Sequence, residues 1–208
     1  MLYKNAVEPT ALEILTIISS QQVFDTFALG GGTGIAIRKG HRFSVDLDFF
    51  TNQPFDTQAI YKNIISLFTG SELLFEQKQT MMFTVNGIKV DFVLYPFEWL
   101  KPFEEEDGLK LISIEDIIPM KLQAVSNRFS KKDFWDIEEL LNAFSLEEMI
   151  TIFKQKFPPI DTGHIIHSLT EFDSADEEDD PVCIVPKSWE TVKDNLTKAV
   201  KNYTEDFL

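Results

Sequence analysis

A short apolar run, Phe27-Ala28-Leu29, ends in three consecutive glycines, Gly30-Gly31-Gly32, and Thr33 to Arg38 follows at once with the pattern of a short helix. This junction constrains the fold more than any other segment. Only a backbone free of side chains turns so tightly from strand to helix. Its exposed N–H groups then point outward along the helix dipole, where an anion is favoured. Val45 to Phe50 returns to strand character and carries Asp46 and Asp48 at i and i+2. Alternation along a strand puts both carboxylates on one face.

The other elements follow from periodicity. PTALEILTIISSQQVF repeats apolar residues at helical spacing, with Pro9 near the start, and Thr57 to Phe68 does the same. Leu73 to Gln77, Thr80 to Val85 and Ile88 to Tyr95 are β-rich, and Asn86-Gly87 is a two-residue hairpin signal between the last two. Pro96 to Gly108, with two prolines and an acidic run, reads as a linker. Beyond it the pattern is helical: a helix over IEDIIPMKLQAVSNRF, starting at Asp116 or Ile117 because Pro119 fits only a first turn. Further helices are expected over Asp133–Phe144, Leu146–Phe157, Thr162–Leu169 and Trp189–Tyr203. The expectation is an α/β half, residues 1–100, and a mainly helical half, residues 101–208.

With 44% apolar residues the chain has ample material for a core, and no run is long enough for a membrane span. A single cysteine, Cys183, excludes an intrachain disulfide and a cysteine-based zinc site, so a cytoplasmic, membrane-free protein is expected. Net charge is −15, and seven of the acids fall between Glu171 and Asp180. That segment is expected to be a surface loop, a solvated tether. A generally basic nucleic-acid surface is excluded, and DNA is not an expected partner. RNA contact would need local clusters: Arg38, Lys39, His41 and Arg42, or Arg128, Lys131 and Lys132, each of which also reads as solvated surface.

Asp46 and Asp48 lie among Val45, Leu47, Phe49 and Phe50, a setting in which carboxylates need a partner. Asp91, in IKVDFVLY, is a third acid amid apolar neighbours. A strand carrying it beside the Asp46/Asp48 strand would gather three carboxylates able to hold two Mg²⁺ ions, one activating a hydroxyl and one neutralising a departing pyrophosphate. Arg42 could neutralise phosphate or pair with Asp46, and Ser44 shares the aspartate face. His41 reads as a general base or, more often for a loop histidine, as surface. His164 and His167, at i and i+3, lack a third ligand and read as helix surface. The three tryptophans read as packing residues.

The set LGGGTGIAI, HRFSVDLDFF, KVDFVLYPF and ISIEDIIPMKLQAVSNRFSKKDFWDIEELL resembles the AbiEii/AbiGii-type toxin family, nucleotidyltransferase-like proteins of the DNA polymerase β superfamily. The resemblance implies an α+β fold, a nucleotidyltransferase-like mixed sheet with flanking helices followed by a helical C-terminal half. It implies that Gly31, Gly32 and Thr33 contact nucleotide phosphates and that Asp46, Asp48 and Asp91 are the metal-binding acids. Arg42 and Ser44 join the nucleotide-binding candidates. Lys121 matches the lysine expected to reach the triphosphate, although a lysine there also reads as exposed helix surface. Asp133 and Asp136 match a family aspartate motif, with Asp133 the functional member.

The expected activity is Mg²⁺-dependent transfer of NMP from an NTP to an acceptor hydroxyl, with two Mg²⁺ ions or with Mn²⁺ in their place. The resemblance further implies a toxin of a type IV toxin–antitoxin, or abortive-infection, system acting on tRNA or another RNA or translation component, with a cognate antitoxin. Two alternatives stand beside it: transfer to a protein or to a small molecule such as an aminoglycoside, and a non-catalytic nucleotide-binding module acting through a protein partner.

Overall fold

Pro9 opens the first helix, and the Glu8 carboxylate accepts a hydrogen bond from the Ala11 amide at 2.7 Å, so the apolar stripe becomes α1 (Pro9–Ser19). The computed structural model describes residues 1–205. Beyond α1 come β1 (Ala28–Leu29), α2 (Gly31–Lys39), β2 (Leu47–Thr51), α3 (Thr57–Leu67), β3 (Glu72–Gln77), β4 (Thr80–Val85) and β5 (Ile88–Leu94). Two short strands, β6 (Glu104–Glu106) and β7 (Leu109–Leu111), complete a mixed seven-stranded sheet in the order β3-β4-β5-β2-β1-β7-β6. β2 runs parallel to β5 and antiparallel to β1, while β1 runs parallel to β7.

One face of this sheet is the core of the first half. Leu47 and Phe49 of β2, Val90 and Phe92 of β5, and Met81, Phe83 and Val85 of β4 are buried with residues of α1 and α3. The Phe92 ring lies 5.2–5.3 Å from the rings of Phe24, Phe27 and Phe49. Truncating a ring so enclosed costs about 3–5 kcal/mol. That anchors the register of β5, because a one-residue slip would drive Asp91 into the core and lift Phe92 out of it.

Several expectations change. The presumed linker contains β6 and β7, joined at Asp107-Gly108, both with positive φ (52° and 76°). The chain accordingly divides into compact units at residues 1–113 and 114–208, thirteen residues beyond the expected boundary. Val45, expected on a buried strand, is 42% exposed, and Asp46 precedes β2 rather than lying in it.

The second unit holds α4 (Ile114–Arg128), α5 (Lys131–Leu140), α6 (Leu146–Lys156), α7 (Thr162–Ser168), α8 (Asp173–Asp176) and α9 (Trp189–Glu205). α4 starts before Pro119 and keeps it in its interior. The proline removes the amide that would bond the Glu115 carbonyl. Fully buried Ile117, Ile118, Leu122 and Val125 offset that loss through packing.

The acidic segment is not a solvated tether. Glu178 accepts hydrogen bonds from the Ser130 hydroxyl (2.9 Å) and the Lys131 amide (2.8 Å), which caps the N-terminus of α5. Lys131 reaches the Glu178 carbonyl and Asp180. Asp176 accepts from the Trp189 indole and from Lys193. Trp189 stacks on buried Trp135, with ring centroids 5.8 Å apart. Among the described residues no helix is long and apolar enough to cross a membrane.

Candidate active site

In the first unit the glycine turn and the aspartate strand are locked together. The Gly30 amide donates to the Asp48 carbonyl at 2.9 Å, and Gly31, with φ +60°, begins α2. A Cβ on Gly31 would stand 2.2 Å from the Asp48 Oδ2 atom, so only glycine lets the carboxylate lie across the start of the helix. The first amides of a helix lack acceptors within it, and the dipole adds partial positive charge there. Asp48 therefore borders an anion-favouring end. Gly31 and Gly32 open that helix as expected. Thr33, 1% exposed, is turned inward: its hydroxyl bonds the Ser44 hydroxyl at 2.7 Å and donates to the Asp46 carbonyl. Both Thr33 and Ser44 thus hold the segment leading into Asp46. Arg42 is buried, and one of its guanidinium nitrogens donates to the Phe43 carbonyl at 3.1 Å.

The parallel pairing of β2 and β5 sets Asp48 beside Asp91 in register. Neighbouring strands are about 4.8 Å apart, so the two side chains emerge together on one face. Burial pushes the Asp91 carboxyl above its ordinary value, and the nearby charges of Asp48 and Asp46 push the same way, although the hydrogen bond and charge of Lys89 oppose them. Asp91 Oδ1 is buried and has no hydrogen-bond partner among the described residues. Oδ2 accepts from Lys89 Nζ at 2.5 Å. Lys89 stands two residues before Asp91 on the same face of β5, a spacing visible in the sequence but not singled out there. Among the described residues no three acidic, histidine or cysteine side chains form a ready-made metal cluster. The donor set nevertheless suits a divalent cation: hard carboxylate oxygens, one of them buried without a hydrogen-bond partner, on adjacent strands.

Lys121 and Asp133 lie in the second unit and meet each other. Lys121 Nζ is 2.8 Å from both Asp133 and Asp136, and Arg128 bonds Asp133 through two nitrogens at 2.5 and 2.8 Å. Both carboxylates are fully buried and Lys121 nearly so, which removes the exposed-lysine alternative. Burial works to raise the Asp133 carboxyl, but Lys121 and Arg128 together hold it below the usual carboxylate range. A second buried pair, Lys156 with Asp116 at 2.7 Å, lies in the same unit.

The expected basic patches do not form as such. Arg38 pairs with Glu104 and donates to the carbonyls of Gly34 and Ile112, and Lys131 is buried on the acidic segment. His41 is buried rather than a surface residue. His164 and His167 are exposed.

Residues 13–207 match the family model described as nucleotidyl transferase AbiEii toxin, type IV TA system. The chain belongs to the AbiEii nucleotidyltransferase toxin family. It is thereby a nucleotidyltransferase, and the resemblance drawn from the motifs holds. A protein of Aquifex aeolicus (strain VF5), described as uncharacterized, is 36% identical over 202 residues, covering 93% of this chain and 96% of its own length. Two Helicobacter pylori crystal structures share the fold at 17% identity, each match covering 96% of both chains. One is a putative nucleotidyltransferase (TM-score 0.62) and the other is JHP933 (TM-score 0.59). The α+β class and the mixed sheet are those of nucleotidyltransferases.

Proposed function

We propose that the first unit of this AbiEii-family nucleotidyltransferase transfers NMP from an NTP to an acceptor hydroxyl, with Asp46, Asp48 and Asp91 as its metal-binding acids. The observation that carries this reading is the pairing of Asp48 with Asp91 in register, on the face where Asp48 borders the glycine start of α2. The amides of Gly31, Gly32 and Thr33 take the phosphates, aided by the helix dipole. Thr33 and Ser44 contribute by fixing the backbone at Asp46. Asp91, in register with Asp48 on the neighbouring strand, is the carboxylate that helps activate the acceptor hydroxyl. Mg²⁺, or Mn²⁺, held by the three carboxylates would supply charge neutralisation at the reacting phosphate and leaving pyrophosphate.

Lys121 is assigned to the triphosphate by resemblance, yet its ammonium is matched by Asp133 and Asp136. We read the quartet of Lys121, Arg128, Asp133 and Asp136 first as the element that fastens α4 to α5. Biologically the reading is a toxin that modifies tRNA or another RNA, held in check by a cognate antitoxin. An acceptor that presents an unpaired end suits a protein of net charge −15 better than a duplex gripped through its phosphates.

The test is incubation with each α-labelled NTP, Mg²⁺ and either total tRNA or cell lysate, followed by separation of RNA, protein and small molecules. Label on RNA that disappears with Asp48→Asn and Asp91→Asn supports the reading. Label on protein or a small molecule would move the acceptor to another class. Tight NTP binding with no transfer to any fraction would overturn the catalytic reading.

A further inference from the structure

Lys89 is where the site departs from a simple trio of acids. Its ammonium is 2.5 Å from Asp91 Oδ2, yet its side chain is 42% exposed while that of Asp91 is 11% exposed. The pair can therefore open in only one direction: the lysine can swing into water on its four-carbon stem, whereas the aspartate is held on β5 between β2 and β4. Lys89 also lies in the field of Asp48 and Asp46. An ordinary half-exposed pair contributes about 0–1 kcal/mol and has no further consequence. Here the partner carboxylate faces Asp48 in register and keeps its other oxygen buried without a hydrogen bond among the described residues.

We propose that Lys89 is a displaceable counter-cation of this site. It holds Asp91 until a divalent ion takes the carboxylate, so that divalent ions bind in two unequal steps, first at Asp46 and Asp48 and then, against Lys89, at Asp91. The inference rests on the nucleotidyl-transfer reading of the same carboxylates. No bond is made or broken in the exchange. One cation replaces another on Asp91, and the ammonium, still charged, moves into solvent. The consequence is a site that stays assembled in the absence of metal, because the buried carboxylate is never left without a counter-charge.

Mn²⁺ titration of the full chain without nucleotide, read by the electron paramagnetic resonance of free aquo-Mn²⁺, tests this directly. The parent protein is expected to show a tighter and a weaker step. Lys89→Met and Lys89→Gln should tighten the weaker step by about tenfold, the scale of one removed like charge at short range in a partly screened site. Lys89→Arg should stay near the parent value, and Asp91→Asn should lose the weaker step. In the Asp91→Asn background, Lys89→Met should restore no weaker step. Melting curves give an independent readout: Lys89→Met should melt lower than the parent in chelator and regain more than the parent does when Mn²⁺ is added. Parent uptake that neither neutral variant alters, or that they weaken, would overturn the role of Lys89 and leave the metal-binding acids standing. Absence of Mn²⁺ uptake by parent and variants alike would overturn both.

Discussion

Asp91 in the first unit and Asp133 in the second are both buried aspartates paired with a lysine, and their proton affinities move in opposite directions. Asp91 meets one half-exposed ammonium while two further carboxylates press on it, and its carboxyl is pushed up. Asp133 meets buried Lys121 and a two-nitrogen Arg128 bond, and its carboxyl is held down. Burial penalises both carboxylates, so the count and placement of cations decides the outcome. A buried acid matched by cations is finished, and its energy goes into joining α4 and α5. A buried acid left short of cations still has binding energy to give to a ligand. The same residue types thus build a joint in one unit and the proposed reaction site in the other.

The sharpest way to break that contrast is to remove charge from each side in turn. Asp48→Asn should cut nucleotidyl transfer by about a thousandfold or more, the scale of losing a group that stabilises charge at the reacting centre, while the melting temperature changes little. A stability loss as large as the activity loss would make Asp48 structural.

Lys121→Met should do the reverse, destabilising the protein by about 3–5 kcal/mol in urea unfolding, since it takes the buried ammonium away from two buried carboxylates. The sign of its pH effect follows from Asp133. That carboxyl lies below its ordinary 3.8 in the folded state, so its stabilising contribution is complete above about pH 4 and is lost as pH falls through the folded value. Without Lys121 the folded value rises, and acid unfolding followed by circular dichroism should begin at higher pH.

Gly31→Ala should cost about 1–3 kcal/mol through its left-handed backbone and the clash with Asp48, and should also lower transfer. Retention of full activity would show that the carboxylate need not lie across the helix start. The smallest effect is expected from Glu178→Ala, about 1 kcal/mol in chemical denaturation, the usual scale of a lost helix cap. No change in stability there would return the acidic segment to the status of a tether.

What was legible in the sequence was local. The Asn86-Gly87 signal became a hairpin turn with positive φ at both residues, and the alternation around Asp91 became its place on a strand face. The family followed from the glycine turn, the two spaced aspartates and the later acid and lysine taken as a set. What was hidden was pairing. Asp107-Gly108 carries the same kind of turn signal as Asn86-Gly87, but Glu104-Glu105-Glu106 beside it reads as solvated charge. A short edge strand has no buried face to betray it. Glu178 sat in a run of acids whose composition announces water, while its partners lie 47 and 48 residues earlier in the chain. Lys89 escaped notice because a lysine on a strand signifies nothing until the carboxylate two residues on is known to be buried. His41 reads as a loop residue and is buried all the same.

The cap that Glu178 places on α5 also orders events in time. Lys131 leaves the ribosome well before Glu178 and Trp189, and domains generally complete their folding as units once their partners have been made. During synthesis α5 must wait with its first turn uncapped, and Trp135 must wait for the ring of Trp189 that stacks on it. The second unit of a growing chain therefore stays unfinished until nearly its last helix has emerged, whereas every strand of the first sheet has already been synthesised by residue 111.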